Sequence, residues 1–243
     1  MKKYVKYFLP FFFFYTFITL SFSQTSTDEQ LAFQYLQNKE FDKAVQYYEK
    51  FFNKKDGISY YGPYLLCLTK LGEYNKAEKV VKKVIKQHPQ NLSYVINLGT
   101  LYSEQKETNK ANDQYKKAIK QLQPNQQEIF ALATEFIQLK EWDLAIETYR
   151  TGRKLLNGFY PFSGEIADVL SMKGDIEGMV IEYLSLLDLG DNQLQTVQNG
   201  LQPSFGEDKD EKKNEIIKTE LLKKIQSNPE KTAYTELLIW FFI

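Results

Sequence analysis

The sequence predicts an all-α protein built of helical hairpins, and three observations carry that prediction. Ala44, Ala77, Ala111 and Ala145 follow one another at intervals of 33, 34 and 34 residues, and a further 34 residues reach Met179. Around each of these five anchors, large apolar side chains recur at separations of three, four and seven residues, a helical period and not the two-residue alternation of a strand. The composition offers nothing that builds a different kind of core. One cysteine excludes an internal disulfide framework and multi-cysteine metal sites, and one histidine excludes paired-histidine zinc motifs. The formal net charge is zero, with 31 basic and 31 acidic side chains and no basic block, which argues against nucleic-acid binding.

The chain opens on Lys2, Lys3 and Lys6, followed by fifteen uncharged residues, Phe8 to Phe22. Ser21 and Ser23 set small side chains one and three positions before a cut ahead of Gln24, so residues 1–23 have the three-part anatomy of a secretory signal peptide. The stretch is short of the ~20 residues that span a bilayer, and Pro10 interrupts it as a helix. No cysteine lies near the cut to carry a lipid. Removing three lysines leaves 28 basic against 31 acidic side chains, a mature charge near −3.

Residues 24–193 read as five hairpins. Four residues after each anchor stand Tyr48, Val81, Tyr115, Tyr149 and Tyr183; three before stand Phe41, Tyr74, Thr108, Trp142 and Ile176. Nine before stand Tyr35, Leu68, Tyr102, Phe136 and Leu170, and thirteen before stand Leu31, Tyr64, Leu98, Leu132 and Ile166. Short polar stretches, among them Leu71-Gly72-Glu73 and Lys173-Gly174-Asp175, separate a helix A from a helix B in each unit. Pro89 and Pro124 fall after a helix B, where they cannot prolong it. Ala32, Gly99, Ala133 and Ala167 are small where helix A is expected to approach helix B, opposite the anchor alanines, and a larger side chain there would overpack the crossing at ~1–3 kcal/mol. The aromatic side chains are expected to fill the space between one hairpin and the next.

Beyond Asn192 the period slips, and residues 194–230 read as an irregular linker and helix. Gly200 to Gly206 is turn-forming, and the charge run Glu207 to Lys213 reads as a solvated linker or helix start without the spacing of a calcium loop. Ile216, Ile217, Leu221, Leu222 and Ile225 form an apolar stripe, an irregular helix B that Asn228-Pro229 ends. Residues 231–243 read as the helix A of a further, incomplete repeat. Its partner helix would lie past Ile243, so Leu237, Leu238, Trp240 and Phe241 are expected to form an exposed apolar end. A longer solenoid cut short, a dimer or partner contact, and membrane association each account for such a patch. The first is favoured because solenoids normally finish on a polar cap.

Chemistry-bearing motifs are missing from the sequence: no glycine-rich phosphate loop, no G-x-S-x-G elbow and no H-E-x-x-H. Cys67 sits in an apolar helical run and reads as buried and inert; His88 reads as a helix-end residue. Pairs such as Glu135 and Glu141 are ordinary on charged helices, and the Asn91-Leu92-Ser93 sequon is a short, common pattern. The expectation is a protein that is not an enzyme, with no cofactor and no metal.

These units resemble the tetratricopeptide repeat (TPR) family, whose unit is 34 residues of helix–turn–helix. The third unit matches best, with Leu98-Gly99, Tyr102, Ala111, Tyr115, Ala118 and Pro124; the fifth departs most, with Met179 at the anchor. The resemblance covers roughly residues 25–193. It implies a right-handed superhelical solenoid whose concave groove is lined by helix A. Partner-binding candidates there are Phe33, Gln37, Leu66, Lys70, Thr100, Glu104, Thr134, Gln138 and Asp168. In cochaperones of the family, Lys, Arg and Asn at such positions clamp a carboxylate. The mainly apolar, hydroxyl and amide groups here imply instead an extended peptide or partner helix. The lysine-rich, Asn- and Gln-rich chain with its Ser-Phe-Ser-Gln cut region is also similar to exported proteins of AT-rich Gram-negative bacteria such as flavobacteria. The sequence therefore leads to the expectation of an interaction scaffold of the cell envelope, periplasmic or secreted. The alternative is the periplasmic sensing part of a longer signalling protein. Membrane contact is expected only through the signal peptide or a downstream segment, and the oligomeric state stays open.

Overall fold

The computed structural model describes residues 27–205 and 211–243, so the expected signal peptide and Glu207 to Asp210 lie outside it. Every regular element among the described residues is helical. The chain divides into two compact units, one ending at Leu71 and one beginning at Gly72. The division falls at the turn that the sequence places inside the second unit of the repeat, Leu71-Gly72-Glu73.

The first unit holds α1 (Thr27–Gln37), α2 (Phe41–Phe52), a 3₁₀ turn (Gly57–Tyr60) and α3 (Tyr61–Lys70), with α2 packed against both other helices. Ala32 and Ala44 are fully buried, so the backbones of α1 and α2 come close. Phe51, Phe52, Tyr61 and Tyr64 fill the space between α2 and α3, with the Phe52 and Tyr64 rings 5.5 Å apart. A Cβ on Gly57 would lie 2.3 Å from the Phe51 carbonyl oxygen, so only glycine fits where the chain leaves α2. Cys67 is buried, as expected of it, and burial pushes the thiol up to about 11.

The second unit begins with α4 (Tyr74–Gln87) and continues with α5 (Ser93–Glu104), α6 (Thr108–Gln121), α7 (Gln126–Gln138), α8 (Trp142–Leu155), α9 (Ser163–Lys173) and α10 (Ile176–Leu189). The pairs α5–α6, α7–α8 and α9–α10 are hairpins, and α4 packs on α5 as α8 packs on α9. Ala111, Ala133, Ala145 and Ala167 are at most 2% exposed, as their size predicts. At Gly99 a Cβ would come within 2.4 Å of the Tyr115 ring, and at Gly152 within 2.6 Å of Ile129, so glycine serves where even alanine is too large. The tyrosines four residues after the anchors are buried in both units. The positions three before the anchors are exposed at Thr108 and half-buried elsewhere, which makes them the edge of each hairpin rather than its centre.

The turns inside the hairpins share one backbone device. Lys39, Gly72, Lys106, Lys140 and Gly174 have φ of 60, 72, 61, 60 and 85°, left-handed values that recur at the repeat spacing. In four of the five turns the next residue's N–H reaches back to the helix A carbonyl five residues earlier: Glu40 to Tyr35, Glu107 to Tyr102, Glu141 to Phe136 and Asp175 to Leu170, at 2.8–2.9 Å. This is the Schellman closure that satisfies the last carbonyls of a helix. The residue after each left-handed one is acidic and stands at the start of a helix B, where the helix dipole favours negative charge. Asp175 also caps through its side chain, accepting from the Gly178 N–H at 2.9 Å.

Between hairpins the connections are individual. Asn125 caps α7 by accepting the Gln127 and Glu128 N–H groups at 3.0 and 3.3 Å. The loop before α9 buries Phe162 against Phe130, Tyr149 and Tyr160, with ring centroids 4.7–5.4 Å away. Arg153 braces that loop: its Nε donates to the Pro161 carbonyl, and its Nη2 donates to Ser163 Oγ at 3.2 Å and to Glu182 Oε2 at 2.7 Å. Glu182 is 9% exposed, so the guanidinium supplies the charge that a buried carboxylate requires.

Two expectations about the last part need correction. The stretch read as an irregular linker contains a helix, α11 (Leu194–Leu201), before α12 (Glu211–Ser227) and α13 (Thr232–Phe242). On α12 the buried face carries Ile217, Glu220 and Leu221, whereas Leu222 is 40% exposed. The expected exposed apolar end is also rotated. α13 turns Ala233, Tyr234 and Leu237 inward, so Leu237 is fully buried, and Leu238, Trp240 and Phe241 are half-buried; Ile239, Phe242 and Ile243 carry the exposure instead. The reason is a polar anchor on α10. The Tyr234 hydroxyl donates to Asp188 Oδ1 at 2.5 Å, while Lys224 Nζ pairs with Asp188 Oδ2 at 2.6 Å. Burial raises the Asp188 carboxyl, but the hydrogen bonds from Lys224 and Tyr234 outweigh it and hold the group below its usual range.

The turn geometry leads to a stability prediction. Lys106→Gly should stabilise the protein by ~1 kcal/mol in urea unfolding, because glycine carries no Cβ penalty in the left-handed region. Gly99→Ala should cost ~1–3 kcal/mol by displacing Tyr115, whereas Gly164→Ala, whose Cβ would meet nothing within 4 Å, should not.

Candidate functional site

The outward face of helix A repeats as regularly as its buried face. Phe33, Leu66, Thr100, Thr134 and Asp168 occupy one register position, and Gln37, Lys70, Glu104 and Gln138 stand one turn further on. In the first unit, Phe33 and Leu66 are 59% and 42% exposed, an apolar pair open to solvent; Gln37 and Lys70 are exposed beside them. In the second unit Glu104, Thr134, Gln138 and Asp168 are exposed and Thr100 is half-buried. All nine predicted residues thus stand outside the packed interior.

Two of them also have an internal task. The Tyr115 hydroxyl donates to Thr100 Oγ1 at 3.4 Å, and the Tyr183 hydroxyl donates to Asp168 Oδ1 at 2.5 Å. Each bond joins the helix B tyrosine of a hairpin to the same position of its helix A. Burial, with the Asp168 hydrogen bond next, raises the Tyr183 phenol above its usual range, so it stays a donor. Met172, 57% exposed, stands one turn after Asp168 and completes the register. Sequence reasoning stopped at Asp168, although the four-residue step already pointed to Met172. Asp168 and Met172 border a cavity of about 440 Å³ with Tyr183 and Gly200 of α11.

A second cavity, of about 540 Å³, lies between the connection 87–93 and α7. Pro89, Leu92, Ala131 and Leu132 line it together with Ser93, Glu128 and Glu135. Ser93, the first residue of α5, donates through its hydroxyl to Glu135 Oε1 on α7. Asn91 holds that helix start, accepting the Ser93 N–H at 3.1 Å. Burial raises the Glu135 carboxyl above its usual range, opposed by the Ser93 hydrogen bond; burial likewise raises Glu128, opposed by the Gln123 N–H. Neither glutamate makes an ion pair among the described residues. His88 closes α4 as its C-cap, exposed at the cavity rim, the helix-end position expected of it. Ser93 and Glu135 are 42 residues apart, and no local pattern joins them.

No cluster of three or more His, Cys, Asp or Glu able to hold a metal occurs among the described residues, and no helix there is long and apolar enough to cross a membrane.

No protein-family model matches the sequence, and no curated protein matches it. Solved structures do resemble it. MamA from Desulfovibrio magneticus, residues 41 to the end, aligns at 15% identity and TM-score 0.36, covering 67% of this chain and 92% of that one. A tetratricopeptide repeat protein from Parabacteroides merdae aligns at 13% identity and TM-score 0.39, covering 89% and 98%. The C-terminal part of a TPR repeat-containing protein from Cytophaga hutchinsonii aligns at 14% identity and TM-score 0.36, covering 87% and 84%. The helix pairs α1–α2, α5–α6, α7–α8 and α9–α10, with anchor positions 33–34 residues apart, match the helix–turn–helix unit of a tetratricopeptide repeat.

The Glu135 environment leads to a pH prediction. Its folded-state pKa lies above the ordinary 4.5, so the native state binds this proton more tightly than the unfolded chain does. The residue's contribution to stability therefore falls as pH rises through that window. Glu135→Gln, which retains an acceptor for Ser93, should raise the urea midpoint at pH 7, and the gain should vanish near pH 4.

Proposed function

We propose that this chain is a non-enzymatic scaffold that holds a partner protein through an extended segment or helix laid along the exposed faces of the A helices of its second unit, α5, α7 and α9. What supports the reading is a periodicity that lies mostly outside the packed interior. Most positions recurring at the 33–34-residue step are buried or form a turn, yet the positions of Thr134 and Gln138 recur on the surface. Side chains that repeat outside the core form a ladder matched to a ligand that also extends along the repeats. The predicted groups on α5, α7 and α9 are hydroxyl, amide and carboxylate, suited to hydrogen bonding a peptide backbone; the first unit, taken by itself, exposes Phe33 and Leu66 as apolar contacts. We further propose that the chain is exported and works in the bacterial cell envelope, on the strength of the charged, apolar and small-residue segments of residues 1–23.

Both parts have direct tests. Peptides selected from a displayed random library on the full chain should lose affinity by about tenfold or more in Thr134→Glu/Gln138→Glu, with unchanged circular dichroism. Retained affinity would move the partner site off this face. The Phe33→Glu/Leu66→Glu pair asks the same of the first unit. Amino-terminal sequencing of protein from the periplasmic fraction should begin at Gln24; a chain found only with its first residues intact in the cytoplasm would overturn the export reading.

A further inference from the structure

The cavity between the α4–α5 connection and α7 combines three properties that are rarely met together without a ligand to match. Its floor is apolar: Leu132 and Leu92 are buried, and Ala131 lies alongside. It is lined by two carboxylates, Glu128 and Glu135, of which Glu135 is held by the Ser93 hydroxyl. No lysine or arginine neutralises either one among the described residues, although the chain carries 31 basic side chains.

The spacing selects the ligand. Glu128 and Glu135 are seven residues apart on one helix, two turns and about 10 Å along its axis. A single metal ion binds its oxygen ligands within ~2.6 Å and could not engage both. Between them on the same face lie Ala131 and Leu132, one turn from each glutamate, so the apolar surface is bracketed by negative charge. That arrangement is complementary to an apolar stem ending in a cation. Lysine and arginine side chains have this form: they lay their methylenes on apolar surface and carry the charge at the tip. Arginine fits better, because its planar fork can share a carboxylate oxygen already hydrogen-bonded to Ser93.

We propose that this cavity is a recognition pocket for a long basic side chain, arginine in preference to lysine, presented by the bound partner segment. The side chain's methylenes lie on Leu92, Ala131 and Leu132, and its guanidinium pairs with Glu135 or Glu128. Only the source of the side chain rests on the scaffold reading; the pocket's chemistry does not. A cation there removes the disadvantage of keeping partly desolvated carboxylates ionised without a partner, the same disadvantage that burial expresses by raising both groups.

The test is a titration of the ¹⁵N-labelled full chain with Nα-acetyl-arginine methylamide, followed by NMR, with the citrulline analogue as its uncharged isostere. The expected result is saturable, millimolar binding that shifts the amides of residues 87–93 and 128–135, with no saturation by citrulline. Glu128→Gln/Glu135→Gln should weaken the arginine probe about fivefold or more. Absence of saturation, equal binding of citrulline, or unchanged affinity in the double variant would each overturn the pocket; the citrulline arm uses the unaltered protein and does not depend on a variant folding. Thr134→Glu/Gln138→Glu separates this outcome from failure of the scaffold reading. If that variant loses selected peptides but keeps the arginine probe, both readings hold; if it keeps the peptides as well, the face is wrong and the pocket still stands.

Discussion

Close approach of two helices inside the first, third and fourth hairpins is the constraint from which much of this structure follows. Two backbones can come that near only where neither carries a bulky side chain. The crossing positions accordingly hold Ala32 with Ala44, Gly99 with Ala111 and Ala133 with Ala145, all essentially without exposure. The fit is tight enough that a single methyl group on Gly99 would collide with Tyr115. Hairpins closed in this way cannot bury the aromatic side chains on their flanks alone. Those side chains must meet the next helix, as Phe52 meets Tyr64 in the first unit and Tyr115 meets Phe136 in the second.

The same constraint explains the surface. A helix A that gives one face to its own hairpin and another to its neighbours has a third left over, and repetition of the hairpin repeats that third face. The Tyr115–Thr100 and Tyr183–Asp168 bonds lie at its margin, holding two of its residues in place from below. The surface is thereby pre-positioned on helices, which would reduce the ordering cost of the binding proposed above. The cavity beside α7 is built differently: a non-repeating connection supplies one wall, so its chemistry belongs to a single place in the chain.

Much of this was legible from residue identities. The helical unit and the small residues at the crossings are recorded as alanine and glycine positions, and Ala32, Ala44, Ala111, Ala133, Ala145 and Ala167 are buried as their size predicts. The turns were half legible. Gly72 and Gly174 announce a left-handed backbone, but Lys39, Lys106 and Lys140 adopt the same conformation without any propensity for it. There the closing hydrogen bonds and the packing of both helices override the local preference. The last helix was misread in orientation. Seven consecutive apolar residues from Leu237 to Ile243 carry no amphipathic signal, so nothing local says which side faces inward. Tyr234 decides it through Asp188, 46 residues earlier.

The sequence by itself determined the repeating unit, because helical period and steric room are local properties that each residue expresses in its own size and spacing. Only the tertiary structure decided which polar groups lost their water. Glu135 looks like any charged helix residue until Ser93 is folded against it, and Asp188 becomes an anchor only when α12 and α13 arrive. Desolvation and the partner that offsets it come from segments far apart in the chain, so they are properties of the assembled packing and not of any stretch of residues.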